Sequence, residues 1–358
     1  MDINIEYLLG RKEVILNTEE IRDQIYNRRI LITGAAGSIG KELIKQITQF
    51  NPAELCLADQ SEIGIVELRS ALKEYPEIKF ELANITDKTR MVSLFDDHRP
   101  QIVFHTAAYK HVSMMEHFPY DAINNNLFGT QILADLSMKY QVEKFVFVST
   151  DKAVKPKCVM GMTKRLAELY IQTLHRDSQQ NTQFIITRFG NVLASTGSVY
   201  LVFKNQIENG RPITVTDPES SRYFMTLSEA SQFVMKAVAI GKGGDTLVFD
   251  MGNPVLILDL AKRMLEQENV KFDSATKIKF VGLHDGEKLH EDLWNDNELK
   301  SPTSIPNISR VRRDAFSLIN IKAQMSVLHH ALETKKKDEL PGILKEILQE
   351  TEIHPLFF

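Results

Sequence analysis

The sequence predicts an α/β protein, a doubly wound parallel sheet followed by a smaller C-terminal lobe. Three observations carry that expectation. Between residue 29 and about 190, short apolar runs alternate with helix-length segments of 3.6-residue periodicity. The first run leads straight into a glycine-rich turn that opens a helix. An acidic residue, Asp59, closes the second run nineteen positions after the last of those glycines.

The elements follow in order. Residues 1–28 read as a polar helical extension, with a helix start at Asn17-Thr18-Glu19-Glu20. Arg29–Thr33 is the first strand, and further strands are expected around Leu55–Ala58, Lys79–Leu82, Ile102–Phe104, Phe145–Val148 and Phe184–Ile186. Helices with an apolar stripe, such as Ile63-Val66-Leu68-Leu72 and Ile132-Leu133-Leu136-Tyr140, separate them. The nucleotide-binding part is therefore placed at 29–190, with a strand near 246–250 returning to the sheet. Residues 191–315 form the substrate lobe, and 316–358 a helical tail whose Lys335-Lys336-Lys337 reads as a solvated helix face.

Composition narrows the function. The chain has 358 residues, 43% hydrophobic and 25% charged, which is an ordinary globular profile. A net charge of −4 offers no basic field for nucleic acid. Cys56 and Cys158 form no metal or redox motif and suit a reducing compartment. No apolar run reaches the ~18–20 residues that span a bilayer. The expectation is a soluble, cytoplasmic protein without a membrane partner.

The glycine turn has a definite chemistry. In Thr33-Gly34-Ala35-Ala36-Gly37-Ser38-Ile39-Gly40 the glycines permit a tight turn, and the helix N-terminus offers free N–H groups to a pyrophosphate. Asp59 would accept hydrogen bonds from ribose hydroxyls and repel a 2′-phosphate, while Gln60 and Ser61 supply no cation. NAD is thus expected rather than NADP. Asn84 and Ile85, after the third strand, and Ala107 and Ala108, after the fourth, would flank the cofactor.

Ser149-Thr150-Asp151-Lys152 follows an apolar strand, at the carboxyl edge where ligands bind in such sheets. Met160 and Lys164 lie four apart, on one face of the next helix. This spacing resembles the extended short-chain dehydrogenase/reductases, in which Ser or Thr, Tyr and Lys form a triad. Here the Tyr position is Met160. The passages TGAAGSIGKEL, HTAAYKHVSMMEH, STDKAVKPKCVMGMTKR, RFGNVLASTGSV, RYFMT and GEKLHEDL further resemble one branch, the nucleotide-sugar 4,6-dehydratases of bacterial polysaccharide biosynthesis. Met for Tyr resembles the configuration-retaining UDP-N-acetylglucosamine enzymes. The larger of these carry an N-terminal membrane region, which this chain is expected to lack.

The resemblance implies Thr150, Asp151, Lys152, Met160 and Lys164 as catalytic positions. Lys152 is then the base at C5, Asp151 the acid at the C6 hydroxyl, and Lys164 a grip on the nicotinamide ribose. Substrate contacts are implied at Lys110, Asn191, Val199, Thr214, Arg222, His284 and Glu287. His284 stands where the branch usually has Arg, so a GDP-linked substrate remains an alternative, with Arg222 as a compensating cation. A thioether cannot accept a proton near neutral pH, so the C4 hydroxyl needs another base; Asp151, if ionised, could serve there first. A 4-epimerase has no use for the Asp151-Lys152 pair, and an inactive NAD-binding scaffold has none either. His105, His111 and His117 show no defensible ligand spacing, so no metal is expected. The resemblance also implies a homodimer or a higher homo-oligomer.

Overall fold

The computed structural model describes residues 4–177, 181–268, 278–312 and 318–353. Its centre is a sheet of nine strands among the described residues. In chain order these are β1 (Arg29–Thr33), β2 (Glu54–Asp59), β3 (Ile78–Leu82), β4 (Ile102–His105), β5 (Lys144–Thr150), β6 (Gln183–Phe189), β7 (Thr246–Phe249), β8 (Leu299–Pro302) and β9 (Ile308–Arg312). Across the sheet the order is β8-β9-β7-β6-β5-β4-β1-β2-β3. The strands from β3 through β7 are all parallel, with Ile32 opposite Leu57 on one side and Phe104 on the other. Within this sheet, among the described residues, only the β7–β9 and β9–β8 pairs run antiparallel.

Chain order reverses at β1, which lies between β2 and β4. The loops after β1 and β4 therefore diverge and leave a crevice at the carboxyl edge. Helices cover both faces, so the central strands are apolar throughout rather than alternating; all four residues of β4 and of β7 are buried. One face packs Met91, Leu94 and Phe95 with Leu133, Leu166 and Tyr170. The other packs Leu43, Ile44 and Ile47 of the helix Ser38–Ile47 with Phe233 and Val234 of the helix Leu227–Ile240.

The N-terminal residues are tied down. The helix Glu19–Ile25 buries Ile21 and Ile25, and Arg11 and the Val14 N–H both donate to Glu229. Glu229 also completes a capping box with Thr226 at the start of Leu227–Ile240. At the other end, helices Leu318–Thr334 and Leu340–Ile353 lay Ile321, Leu328, Leu344 and Ile347 into the cluster that holds Leu166 and Tyr170. The helix Val159–Asp177 is consequently buried all round from Val159 to Leu174. Lys335-Lys336-Lys337 is exposed, but it sits at the junction of the two last helices rather than on a helix face.

Candidate functional site

The cofactor side of the crevice is made mainly of backbone and small side chains. Gly34 has φ +72°, and a Cβ there would lie 2.6 Å from the Ala107 nitrogen, so only glycine fits between β1 and the loop after β4. Gly37 precedes the helix Ser38–Ile47 with no side chain capping its first turn, as an anion site requires. Gly34, Gly37, Asp59, Gln60, Ile85, Ala107 and Ala108 line one cleft, together with Ala58, Ala83, Thr106, Tyr109 and Asn125. Asp59 is fixed by the Ala36 and Ser61 N–H groups, both at 2.9 Å, and keeps further lone pairs for hydroxyl donors. This uncapped helix start, glycine cradle and carboxylate fit a dinucleotide.

Several expected cofactor contacts are engaged elsewhere. The Ser61 hydroxyl caps the next helix by accepting from Gly64 N–H at 3.1 Å. Asn84 is exposed and accepts from both the N–H and the hydroxyl of Thr86. Ser38 and Ile39 occupy the helix's first turn outside the cleft wall, with Gly40 buried beneath; Ser38 Oγ accepts from Thr196 N–H at 3.0 Å. Lys164 is buried, donates to the Val148 carbonyl at 2.7 Å and stands 3.8 Å over the Phe147 ring. Burial, only partly offset by Glu168, draws its ammonium down to about 7.

His105 is satisfied rather than free. Thr130 Oγ1 donates to the Asn126 carbonyl and so accepts from His105 Nε2–H, leaving Nδ1 to accept from Thr33. Burial keeps the ring well below its usual pKa, hence neutral. Asn126 sits in a buried π-helical turn, Ile123–Gly129, and holds both the N–H and the carbonyl of Tyr109. Three consecutive asparagines in an otherwise apolar segment were the sequence signal for this turn.

The turn expected to be catalytic follows β5. Asp151–Ala153 form one 3₁₀ turn packed under the helix Val159–Asp177. The approach is so close that a Cβ on Gly161 would lie 2.2 Å from the Lys152 carbonyl oxygen. Asp151 is fully buried. Its Oδ1 accepts from Thr150 Oγ1 at 2.9 Å and from Lys152 Nζ at 3.0 Å, while its Oδ2 has no hydrogen-bond partner. Lys152 also donates to Asn191 Oδ1 at 2.9 Å and lies 3.7 Å from Glu291. Burial opposes the ammonium charge, but Asp151 and Glu291 outweigh it and hold Lys152 above its ordinary pKa. Met160 is buried in the apolar core beside this turn.

A second cleft lies on the substrate side. Lys152, Asn191, Arg222, His284 and Glu287 line it, together with residues the sequence did not single out as substrate contacts, among them His111, Ser113, Lys157, Thr216, Lys288 and Glu291. Arg222 is not a spare cation: it is buried and pairs with Glu287 at 2.7 Å. Glu287 also accepts from Thr216 and from the His284 N–H. Val199 and Thr214 do not reach the cleft wall. Val199 packs in an apolar cluster, and Thr214 Oγ1 accepts from Gln206 at 2.8 Å. Lys110 bridges to Ser195 Oγ at 3.2 Å, and burial, then Lys152, lower its pKa.

Beneath the turn after β5 lies a second group of buried charges that sequence reading missed. Arg188 contacts Glu168 at 2.7 Å and Glu298 at 2.8 Å, and Arg165 contacts them at 3.0 and 3.1 Å. Glu168 also accepts from Ser149 Oγ at 2.6 Å, which joins the group to β5. Among the described residues, no three His, Cys, Asp or Glu side chains gather as metal ligands, and no helix is long and apolar enough to cross a membrane.

A doubly wound parallel sheet that opens with this glycine turn, and that carries Thr150-Asp151-Lys152 at the carboxyl end of β5, defines a Rossmann-type α/β architecture. The family model described as polysaccharide biosynthesis protein matches residues 30–313, and the chain belongs to that family. It is 43% identical over 318 residues to the capsular polysaccharide biosynthesis protein CapD of Staphylococcus aureus, covering 88% of this chain and 53% of that protein. The chain thus spans about half the length of that relative. A UDP-glucose 4-epimerase of Rickettsia canadensis is 31% identical over 82% of this chain and 85% of its own. Among solved structures, Pen from Bacillus thuringiensis matches with a TM-score of 0.75 at 29% identity, covering 85% of this chain and 99% of Pen.

Proposed function

We propose that this protein is an NAD-dependent nucleotide-sugar 4,6-dehydratase, a lyase that converts UDP-N-acetylglucosamine to its 4-keto-6-deoxy product with C5 configuration retained. The observation that carries this reading is the Asp151–Lys152 pair: a buried, hydrogen-bonded carboxylate and ammonium, of which Lys152 lines the substrate-side cleft. Oxidation and return at C4 alone need a single base. Elimination across C5 and C6 needs a base for carbon and an acid for the departing oxygen, and the pair supplies both.

The glycine turn, Asp59, Ile85, Ala107 and Ala108 would hold NAD, with Lys164 turning from the Val148 carbonyl toward the nicotinamide ribose. Bound there, NAD would supply reversible oxidation of the sugar. The chain's own residues do the proton work. Asp151, paired as a carboxylate with Lys152, takes the C4 hydroxyl proton, since Met160 cannot. The C4 ketone then acidifies C5–H, which Lys152 removes as an amine, and Asp151 passes its proton to the C6 hydroxyl as water departs. Asn191, Arg222, His284 and Glu287, which line the substrate-side cleft, would lie nearest the nucleotide, whereas β7, β8, β9 and the helix Leu227–Ile240 from the stretch expected as a separate lobe belong to the sheet body.

The test is direct. Incubation with UDP-N-acetylglucosamine should give an alkali-sensitive 4-keto chromophore, and denaturing the protein should release NAD rather than NADP. A UDP-linked 4-epimer without chromophore would mean an epimerase instead. A preference for GDP-linked sugar would locate the error at His284.

A further inference from the structure

Resting on that reading, Lys152 faces a difficulty of its own. It begins as an ammonium ion, and an ammonium ion takes no proton from carbon. When Asp151 becomes protonated by the C4 hydroxyl, it can no longer receive the Lys152 proton, because it must keep the first one for the C6 hydroxyl. Another acceptor has to lie within reach of Nζ, out of water, and free to change charge.

We propose that Glu291 is that acceptor, a positioning residue that takes the surplus proton of Lys152 and thereby turns it into the C5 base. Its side chain is only 3% exposed, and Oε1 stands 3.7 Å from Lys152 Nζ. Its Oε2 is buried without a hydrogen-bond partner, 3.5 Å from Lys288 Nζ, and Lys288 spends its own hydrogen bond on the Val154 carbonyl at 2.7 Å. An oxygen with an unused lone pair in a buried site can accept a proton without breaking an existing bond. Burial also raises the Glu291 carboxyl above its ordinary pKa despite Lys152, Lys288 and Arg222, with Asp151 pushing the same way. The groups facing this carboxyl are therefore Asp151, Lys152, Arg222 and Lys288, with the Cys158 thiol close enough to sense its charge.

The cycle balances. Lys152 ammonium gives one proton to the Glu291 carboxylate and becomes an amine. The amine takes the C5 proton, the electron pair of that C–H bond moves into the C4 enolate, and the C6–oxygen bond breaks as Asp151 protonates the leaving hydroxyl. After C6 is reduced, Lys152 returns a proton to C5, and Glu291 returns its proton to Lys152. Nothing is consumed beyond the substrate, and the one water released is the expected product.

The experiment uses the full chain and UDP-N-acetylglucosamine deuterated at C5, so that C4 oxidation has already protonated Asp151 when C5 must be deprotonated. Exchange of the C5 deuterium for solvent hydrogen in the product formed is read by mass spectrometry at saturating substrate. Wild type should exchange with a rate nearly flat from about pH 6 to 9. Glu291→Gln should lower the exchange kcat by about 10²–10⁴-fold, the usual worth of a proton-transfer partner, with little change in KM. Its residual rate should climb about tenfold per pH unit, because hydroxide must now remove the ammonium proton. Glu291→Asp should restore most of the exchange. A Glu291→Gln rate within a few-fold of wild type would overturn the proposal, as would a depressed rate that stays flat with pH or a loss that falls on KM alone. If wild type itself exchanges no deuterium, the dehydratase reading fails and takes this inference with it.

Discussion

Two clusters of buried charge lie side by side in this molecule, and they are built for opposite ends. Both draw on β5 or the helix beside it and on the segment 286–298, and each brings two carboxylates to two cations. In the Arg165–Glu168–Arg188–Glu298 group every carboxylate oxygen is taken. Glu168 accepts from Ser149, Arg165 and Arg188, and Glu298 from Arg165, Arg188 and the Asn295 N–H. In the Asp151–Lys152–Glu291–Lys288 group, Asp151 Oδ2 and Glu291 Oε2 have no hydrogen-bond partner. A closed network offsets the cost of desolvation and ties the helix Val159–Asp177 and β6 to the segment around Glu298. An open one retains under-partnered oxygens, which are unfavourable for stability and useful for moving protons.

This contrast can be broken by exchanging the readouts. Asp151→Asn and Lys152→Ala should each cut dehydration about 10²–10⁴-fold, about 3–5.5 kcal/mol of barrier, while NAD stays bound. The thermal midpoint should move by no more than a few degrees, and a collapse of the fold would erase the distinction. Arg188→Met should do the reverse. It leaves two buried carboxylates with one cation, and unfolding by urea should show a loss of about 3–5 kcal/mol.

The closed cluster should also mark the acid limit of stability. Burial works against the Glu298 charge, but Arg188 and Arg165 outweigh it and draw the carboxyl from an ordinary 4.5 to about 2. A depressed carboxyl stabilises the fold fully above its unfolded pKa and loses that stabilisation as pH falls through the folded one. Circular dichroism should therefore show stability declining between about pH 4.5 and pH 2. In Glu298→Gln this part of the acid dependence should be absent. The smallest effect is expected at Met160. Met160→Ala should keep activity within about tenfold, since a thioether contributes packing and no proton transfer. A Met160→Ala variant as inactive as Asp151→Asn, though folded and holding NAD, would mean that the open cluster is not the whole proton machinery. A Met160→Tyr variant that gains orders of magnitude would say the same of the C4 step.

The cofactor side was legible in the chain because its determinants are local. Thr33–Gly40 is a continuous stretch whose glycines answer to backbone geometry, and Asp59 ends a strand that pairs directly with β1. Thr150, Asp151 and Lys152 were legible for the same reason, as consecutive residues at a strand end. The hydroxyls of Ser61 and Thr214 each accept from a neighbouring backbone or side chain, which residue type alone does not disclose.

By itself, then, the sequence determined the parallel sheet, the glycine turn and the placing of Asp151-Lys152 at the end of a strand, since strand periodicity, turn chemistry and adjacent residues act over a few positions. Only the tertiary structure decided that Glu291 stands beside Lys152, 139 positions away by number, and that Arg222 is committed to Glu287. Only it made Glu168 and Glu298 a closed pair of anions and left Asp151 and Glu291 open. The protonation behaviour of a buried charge depends on every group that reaches it after water is expelled, and those groups come from segments that meet only when the chain has folded.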